Sequence, residues 1–242
     1  MPVGNNYRSG NKYNQLLVEA LNKGPHGLAF IPGREKDLIF HDAEGSRTKD
    51  PYEIKFSRYT NLKIETLQFK PFTENKIEDY HLVPGSLMNF YREVDSETPL
   101  RFLFLSPTRH DKHQAEVMFL RIPTSVMQLL VEDATVIAEQ VDTLLASLKI
   151  EARKIFATTN QLNDTVWAGV SKKVPMQRRR LYYKHYENIH LNVRDAVRHF
   201  DLQLIPIASM KMDIVKNEFN NKEQIEPYFE TILYENNNVI LD

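Results

Sequence analysis

The sequence predicts one α/β domain with a helical extension, and three observations predict it. The N-terminal part carries short alternating or continuous apolar runs separated by turn compositions, which is the pattern of strands. From Thr124 to about Phe156 no Gly or Pro occurs, and apolar residues recur at three- and four-residue steps, which is the pattern of a long helix. Hydrophobic residues make up 42% of the 242 residues, enough to bury one sizeable core.

Taken in order, the Gly/Asn-rich first residues precede a helix from about Asn11 to Asn22. Tyr13, Leu16, Leu17, Ala20 and Leu21 share one face of it, and Gly24-Pro25 ends it. Strands follow at His26 to Ile31, Asp37 to His41 and Pro51 to Tyr59. The turn composition Asp42-Ala43-Glu44-Gly45-Ser46 makes the last two a hairpin. Leu62 to Phe69 is extended, and a polar, partly helical segment leads to the apolar run Arg101 to Ser106, a strand buried on both faces. The long helix opens at Thr124 or Ser125 as N-cap. Its seam of Met127, Leu130, Ala134, Ile137, Val141, Leu144 and Leu148 suits either a core helix on a sheet or a dimer interface. A basic stretch, a helix near Tyr186 to Phe200, a strand near Leu202 to Ile207 and an acidic, Asn-rich tail complete the chain. Residues 1–242 read as a single domain: a core over about 11–105, the long helix over 124–156 and a C-terminal part over 165–242.

Composition narrows the function classes. Thirty-one Lys plus Arg against 32 Asp plus Glu give a net charge of −1, so no bulk attraction to nucleic acid or to an anionic membrane exists. The absence of cysteine excludes disulfide scaffolds, thiolate zinc sites and a cysteine nucleophile, and suits a reducing cytoplasm. No apolar run reaches the roughly 18 residues of a membrane span, and no secretory signal opens the chain, so a cytoplasmic protein without membrane contact is expected. There is no G-x-S-x-G, no P-loop and no dinucleotide fingerprint. His110 and His113 stand at helical spacing without an evident third metal ligand, while His185, His190 and His199 read as polar-face residues of a helix.

The informative segment is Lys36-Asp37-Leu38-Ile39-Phe40-His41 followed by Pro51-Tyr52-Glu53-Ile54-Lys55-Phe56. Strand alternation puts Tyr52, Ile54 and Phe56 on an apolar side and Glu53, Lys55 and Ser57 on a polar one. Glu53 and Lys55 then lie about 7 Å apart along one face. A hairpin partner beginning at Asp37 brings a second carboxylate beside Glu53, with Asp42, in the turn, as the rival. Two carboxylates with waters satisfy Mg²⁺, a hard cation that keeps several positions for water and phosphate. The metal activates a bound water, and a lysine two residues past the second ligand orients that water or offsets charge on the phosphate. A solvated sheet face is the competing reading of the same pattern.

Asp37, fifteen intervening residues and then Glu53-Ile54-Lys55 resemble the PD-(D/E)xK nuclease motif of type II restriction endonucleases, junction resolvases and repair nucleases. Lys36 stands where the family name has proline. The resemblance covers about residues 11 to 105. It implies a mixed central β-sheet flanked by helices, here with a helical, basic C-terminal extension. It also implies Asp37 and Glu53 as ligands of Mg²⁺ (with Mn²⁺ as a substitute), Lys55 in water activation and Glu19 as a supporting acid. The implied activity is hydrolysis of double-stranded DNA, in enzymes that often act as homodimers. Structure-specific, mobile-element or phage nucleases share the same core, and a non-catalytic nucleic-acid-binding protein is the alternative outside enzymology.

Candidate DNA contacts come from two places. Ser57, Arg58 and Lys63 follow the Glu-x-Lys strand and suit phosphate oxygens. Lys172, Lys173, Arg178, Arg179, Arg180 and Lys184 lie in a stretch, Thr165 to Tyr186, that holds no Asp or Glu, with Trp167, Tyr182 and Tyr183 interleaved. Such segregation in a near-neutral chain is a nucleic-acid footprint; a solvated basic loop, or one paired with the acidic tail, is its plain counterpart.

Overall fold

The computed structural model describes residues 29–31, 38–41, 47–56, 62–73, 76–93, 99–107, 114–147, 170, 173–185, 187–211 and 225–227. The strands are β1 (Ala29–Ile31), β2 (Leu38–His41), β3 (Arg47–Phe56), β4 (Lys63–Thr73), β5 (Lys76–Pro84), β6 (Leu100–Pro107), β7 (Gln114–Ile122), β8 (Tyr182–His185), β9 (Asn188–Asn192), β10 (Leu204–Lys211) and β11 (Ile225–Pro227). The helices are α1 (Ser86–Glu93), α2 (Thr124–Ser147), α3 (Met176–Arg179) and α4 (Val193–His199). The chain divides into two compact units: one from Met1–Leu62, Leu100–Arg121 and Gln203–Asp242, the other from Lys63–Pro99 and Ile122–Leu202. Among the described residues no helix is long and apolar enough to cross a membrane.

The first unit is a seven-stranded sheet in the order β1-β2-β3-β6-β7-β10-β11. It is mixed. β1 pairs with β2 and β2 with β3 in antiparallel fashion, with Leu38 opposite Tyr52 and Ile39 opposite Pro51, whereas β3 and β6 are parallel, with Glu53 opposite Phe102 and Lys55 opposite Phe104. A parallel pair needs a long crossover, and here the chain between β3 and β6 contains β4, β5 and α1. Phe102, Leu103 and Phe104 are all buried, as the continuous apolar run of this strand requires. Pro206 lies in β10, between β7 and β11, where it cannot donate to a ladder; the register shifts there, between Pro206 and Ala208.

The second unit is a four-stranded antiparallel sheet in the order β5-β4-β9-β8, with α1 to α4 in the same unit. One sheet face is apolar: Ile64, Leu67, Phe69, Ile189, Leu191 and Tyr182 are buried. Tyr182 Oη donates to the Leu130 carbonyl at 3.0 Å, which ties this face to α2. In α2 the buried residues are Met127, Leu130, Asp133, Ala134, Ile137, Val141 and Leu145. The expected seam is therefore present to Val141 and then passes to Leu145 rather than Leu144, as a 3.6-residue period drifts from a strict heptad. These residues are buried within the single chain, so the core-helix reading holds and the seam is not available as a subunit interface. Residues 148–156 lie outside the described ones. The first helical hydrogen bond runs from Met127 N–H to the Pro123 carbonyl at 2.9 Å, making Pro123 the capping position instead of Thr124 or Ser125.

Three expectations need correction. Tyr186 to Phe200 is not one helix: 188–192 form β9, and only Val193–His199 is helical. Ile189 and Leu191 alternate with Asn188, His190 and Asn192, which is a period of two. Asn192 then caps α4 by accepting from Asp195 N–H at 3.3 Å. The basic extension is not simply helical either, since Met176–Arg179 is a short helix and Tyr182–His185 a strand. Finally, the polar segment after Phe69 is partly helical as expected, through α1, but it also contains all of β5, paired with β4 through Leu67 opposite Pro84 and Phe69 opposite Leu82. Its polar and charged residues hide a strand whose ladder comes from its neighbour. The helix expected at Asn11 to Asn22 lies outside the described residues.

Candidate active site and basic surface

β3 is an interior strand, held antiparallel on one side and parallel on the other, so its backbone is fixed from both edges. Glu53 and Lys55 project from the same face, as strand alternation dictates, and the Lys55 ammonium contacts the Glu53 carboxylate. Their side chains keep 16% and 23% of their surface, respectively. The wall beside them is aromatic rather than polar. Phe102 and Phe104 occupy the paired positions on β6, with rings stacked at 5.8 Å and 21°. A carboxylate and an ammonium on the edge of an apolar surface interact more strongly than in open water, because the local dielectric is lower.

Asp37, Asp42, Glu19, Ser57, Arg58 and Lys172 lie outside the described residues. β2 begins at Leu38, opposite Tyr52, the residue before Glu53. Among the described residues no group of three or more His, Asp or Glu side chains is arranged to hold a metal ion. Glu53 is the one described member of the expected ligand pair. Glu53 is a partly exposed carboxylate, a hard oxygen donor of the kind Mg²⁺ takes, and Mg²⁺ binding there would have to displace the Lys55 ammonium.

The described basic candidates all belong to the second unit and are not equivalent. Arg178 binds Asp133 of α2 in a bidentate pair, Nε to Oδ2 at 2.8 Å and Nη2 to Oδ1 at 3.1 Å. That hydrogen bonding holds the Arg178 guanidinium above its ordinary pKa. Lys173 is exposed and reaches Glu139 of α2 at 3.3 Å. Lys184 is only 5% exposed, on the buried face of its sheet, and burial lowers its pKa. Lys63 is half-buried on β4, opposite Asn192; burial lowers its pKa while Glu65 works against that shift. Arg179 is half-buried, its Nε without a hydrogen-bond partner among the described residues, and Arg180 is exposed. Of the basic run, Arg178 and Lys184 are built into the fold, whereas Lys173 and Arg180 are exposed and Arg179 is half-buried.

Two clusters escape the sequence reading. Asp133 is buried at 3% exposure, and its signal was an acid on the apolar face of a helix, three residues after Leu130. On the second sheet, Glu65, His190 and Tyr183 stand in one cross-strand row: Glu65 is opposite His190, and His190 opposite Tyr183. His190 is 4% exposed, and its pKa is pushed down to about 3, by burial first and then by the charges of Lys63 and His185. It was expected on the polar face of a helix. The period-two alternation of residues 188–192 was the available signal. Comparison with models of known protein families, with curated proteins and with solved structures finds no match for this chain.

Proposed function

We propose that this protein is a Mg²⁺-dependent endonuclease that hydrolyses phosphodiester bonds in double-stranded DNA, with chemistry resembling that of type II restriction endonucleases. The observation that carries the reading is the Glu53–Lys55 contact on β3, an interior strand of a mixed sheet. A mixed central sheet is also what the PD-(D/E)xK resemblance implies. Glu53, with Asp37, would hold Mg²⁺, which supplies an activated water and stabilises charge on the phosphate. Lys55 is spaced to orient that water or to donate to a phosphate oxygen. Arg180, Arg179 and Lys173 support duplex binding through backbone phosphates. In this reading the protein acts in the cytoplasm, on DNA, as a homodimer whose contacts are made by surfaces other than the buried α2 seam.

The test is incubation of purified protein with long unmethylated duplex DNA, with Mg²⁺, with Mn²⁺ and with EDTA. Discrete fragments that require the metal are expected, and their ends map the site. A metal-dependent smear would move the reading to a structure-specific or nonspecific nuclease. Intact duplex, branched DNA, single strands and RNA would overturn the catalytic reading in favour of a binding protein.

A further inference from the structure

The polar face of the second sheet is built more rigidly than a solvated surface requires. The β4–β9 register shifts between Glu65 and Leu67, a bulge that re-aims the side chains around it. Three hydrogen bonds hold this bulge: Gly85 N–H to the Thr66 carbonyl at 2.8 Å, Ser86 Oγ to the Glu65 carbonyl at 3.2 Å, and Thr66 Oγ1 to the Ile189 carbonyl at 2.7 Å. Gly85 is obligatory in this packing, since a Cβ there would lie 2.7 Å from Thr66 C and 2.8 Å from Glu65 O.

Above this support sit hydrogen-bonding groups with no described use. Neither ring nitrogen of His190 has a hydrogen-bond partner among the described residues, although the side chain is 4% exposed. Asn188 Oδ1, two residues earlier on the same face, is likewise buried without one. Buried polar groups are ordinarily satisfied, and a cluster of exceptions points to something that binds there. Tyr183 and His185 flank the site on the edge strand β8. Their rings lie 5.7 Å and 6.0 Å from that of His190. Residues two apart on a strand are about 7 Å apart, which is about the width of two aromatic contacts at ~3.5 Å with one flat ring between them. Tyr183 is half-exposed and His185 exposed, so both rings can be reached from the sheet edge, while the ring nitrogens of His190 lie buried behind them.

We propose that Tyr183 and His185 bracket a nucleobase whose edge hydrogen-bonds to His190 and Asn188. The chemistry is that of a heterocycle with both donors and acceptors in its plane. A neutral imidazole offers one donor and one acceptor, and an amide oxygen accepts from an exocyclic amino group. Burial first, and then the charge of Lys63 on β4, favours the neutral forms of the two imidazoles. Glu65, directly opposite His190, disfavours a bare anion in the same place. Lys70, exposed on β4, supplies a cation on the same strand for a phosphate group joined to the base. The inference goes beyond the nuclease reading and does not depend on it, because stacking on aromatic side chains is a property of single-strand binding surfaces in general.

Fluorescence anisotropy in EDTA tests it without any cleavage step, so its failure is distinct from failure of the nuclease reading. The probes are a labelled single-stranded oligonucleotide, the same strand with abasic sites, and free mononucleotides as competitors. Tyr183→Leu should weaken oligonucleotide binding about 10- to 100-fold, from the loss of one base stack. Tyr183→Phe should retain it, and binding of the abasic strand should not respond to either change. His190→Gln should weaken binding similarly, and Tyr183→Leu, at a half-exposed edge position, keeps the test decisive if the buried variant fails to fold. Competition by a mononucleotide would identify the free nucleotide as the ligand. Its absence with strand binding intact would identify a base within a strand. No binding by the wild type, or equal binding by wild type and Tyr183→Leu, would overturn the proposal.

Discussion

Glu53–Lys55 and Asp133–Arg178 are both carboxylate–cation contacts, and their settings separate a local, partly exposed pair from a buried, structural one. Glu53 and Lys55 meet within a single strand, two residues apart, and both retain solvent contact. Asp133 and Arg178 meet across 45 residues, in a bidentate geometry that joins the middle of α2 to the short α3, with Asp133 almost wholly buried. The first contact adds little that the strand does not already fix, and both side chains stay partly exposed. The second ties distant segments together and would leave a buried charge if broken. A sequence displays the residue types of both, but of their geometry only the shared strand face of the local pair.

The contrast is sharpest in stability. Arg178→Ala should destabilise the protein by about 3 kcal/mol or more, because Asp133 remains buried without its partner, and urea unfolding reads this directly. A loss below 1 kcal/mol would mean that the pair is a surface ornament and that the comparison fails. Gly85→Ala should cost about 1–3 kcal/mol, since its Cβ meets backbone atoms that cannot rotate away. Here thermal unfolding is the readout, and an unchanged midpoint would show that the Thr66 bulge yields easily.

His190 adds a pH-dependent difference between the units. Its folded-state pKa, about 3, lies below the unfolded value near 6.5, so the unfolded chain binds the extra proton first. The stability associated with neutral His190 is complete above about pH 6.5 and is lost as pH falls towards 3. The slope is at most about 1.4 kcal/mol per pH unit. Denaturation profiles of wild type and His190→Gln should converge at low pH if this holds, and parallel profiles would refute it. The smallest effect belongs to the proposed catalytic pair. Glu53→Gln and Lys55→Ala should each change stability by no more than about 1 kcal/mol, as expected for partly exposed, local ion pairs.

Legibility followed the range of the interactions. The Glu53–Lys55 strand, the Arg101 to Ser106 strand and the apolar seam of α2 were readable, because alternation and helical period are local properties. β5 was not, since residues 76–84 become a strand through pairing with β4. The basic run was readable as charge but not as function. Arg178 turned inward to Asp133, and Lys184 to the buried side of its sheet, because tertiary partners decided both. His190 is illegible for a related reason: the helix begins only after Asn192, whose side chain caps α4 and separates it from the strand that carries His190.

The most direct measurement compares wild type, Glu53→Gln and Lys55→Ala for cleavage of long unmethylated duplex DNA, with Mg²⁺ and with EDTA, alongside their unfolding curves. The account predicts Mg²⁺-dependent cleavage by the wild type. It predicts a fall of about 100-fold or more in both variants, in line with loss of a metal ligand or a proton-transfer group, with unfolding midpoints nearly unchanged. Cleavage that survives both substitutions at the wild-type rate would contradict it.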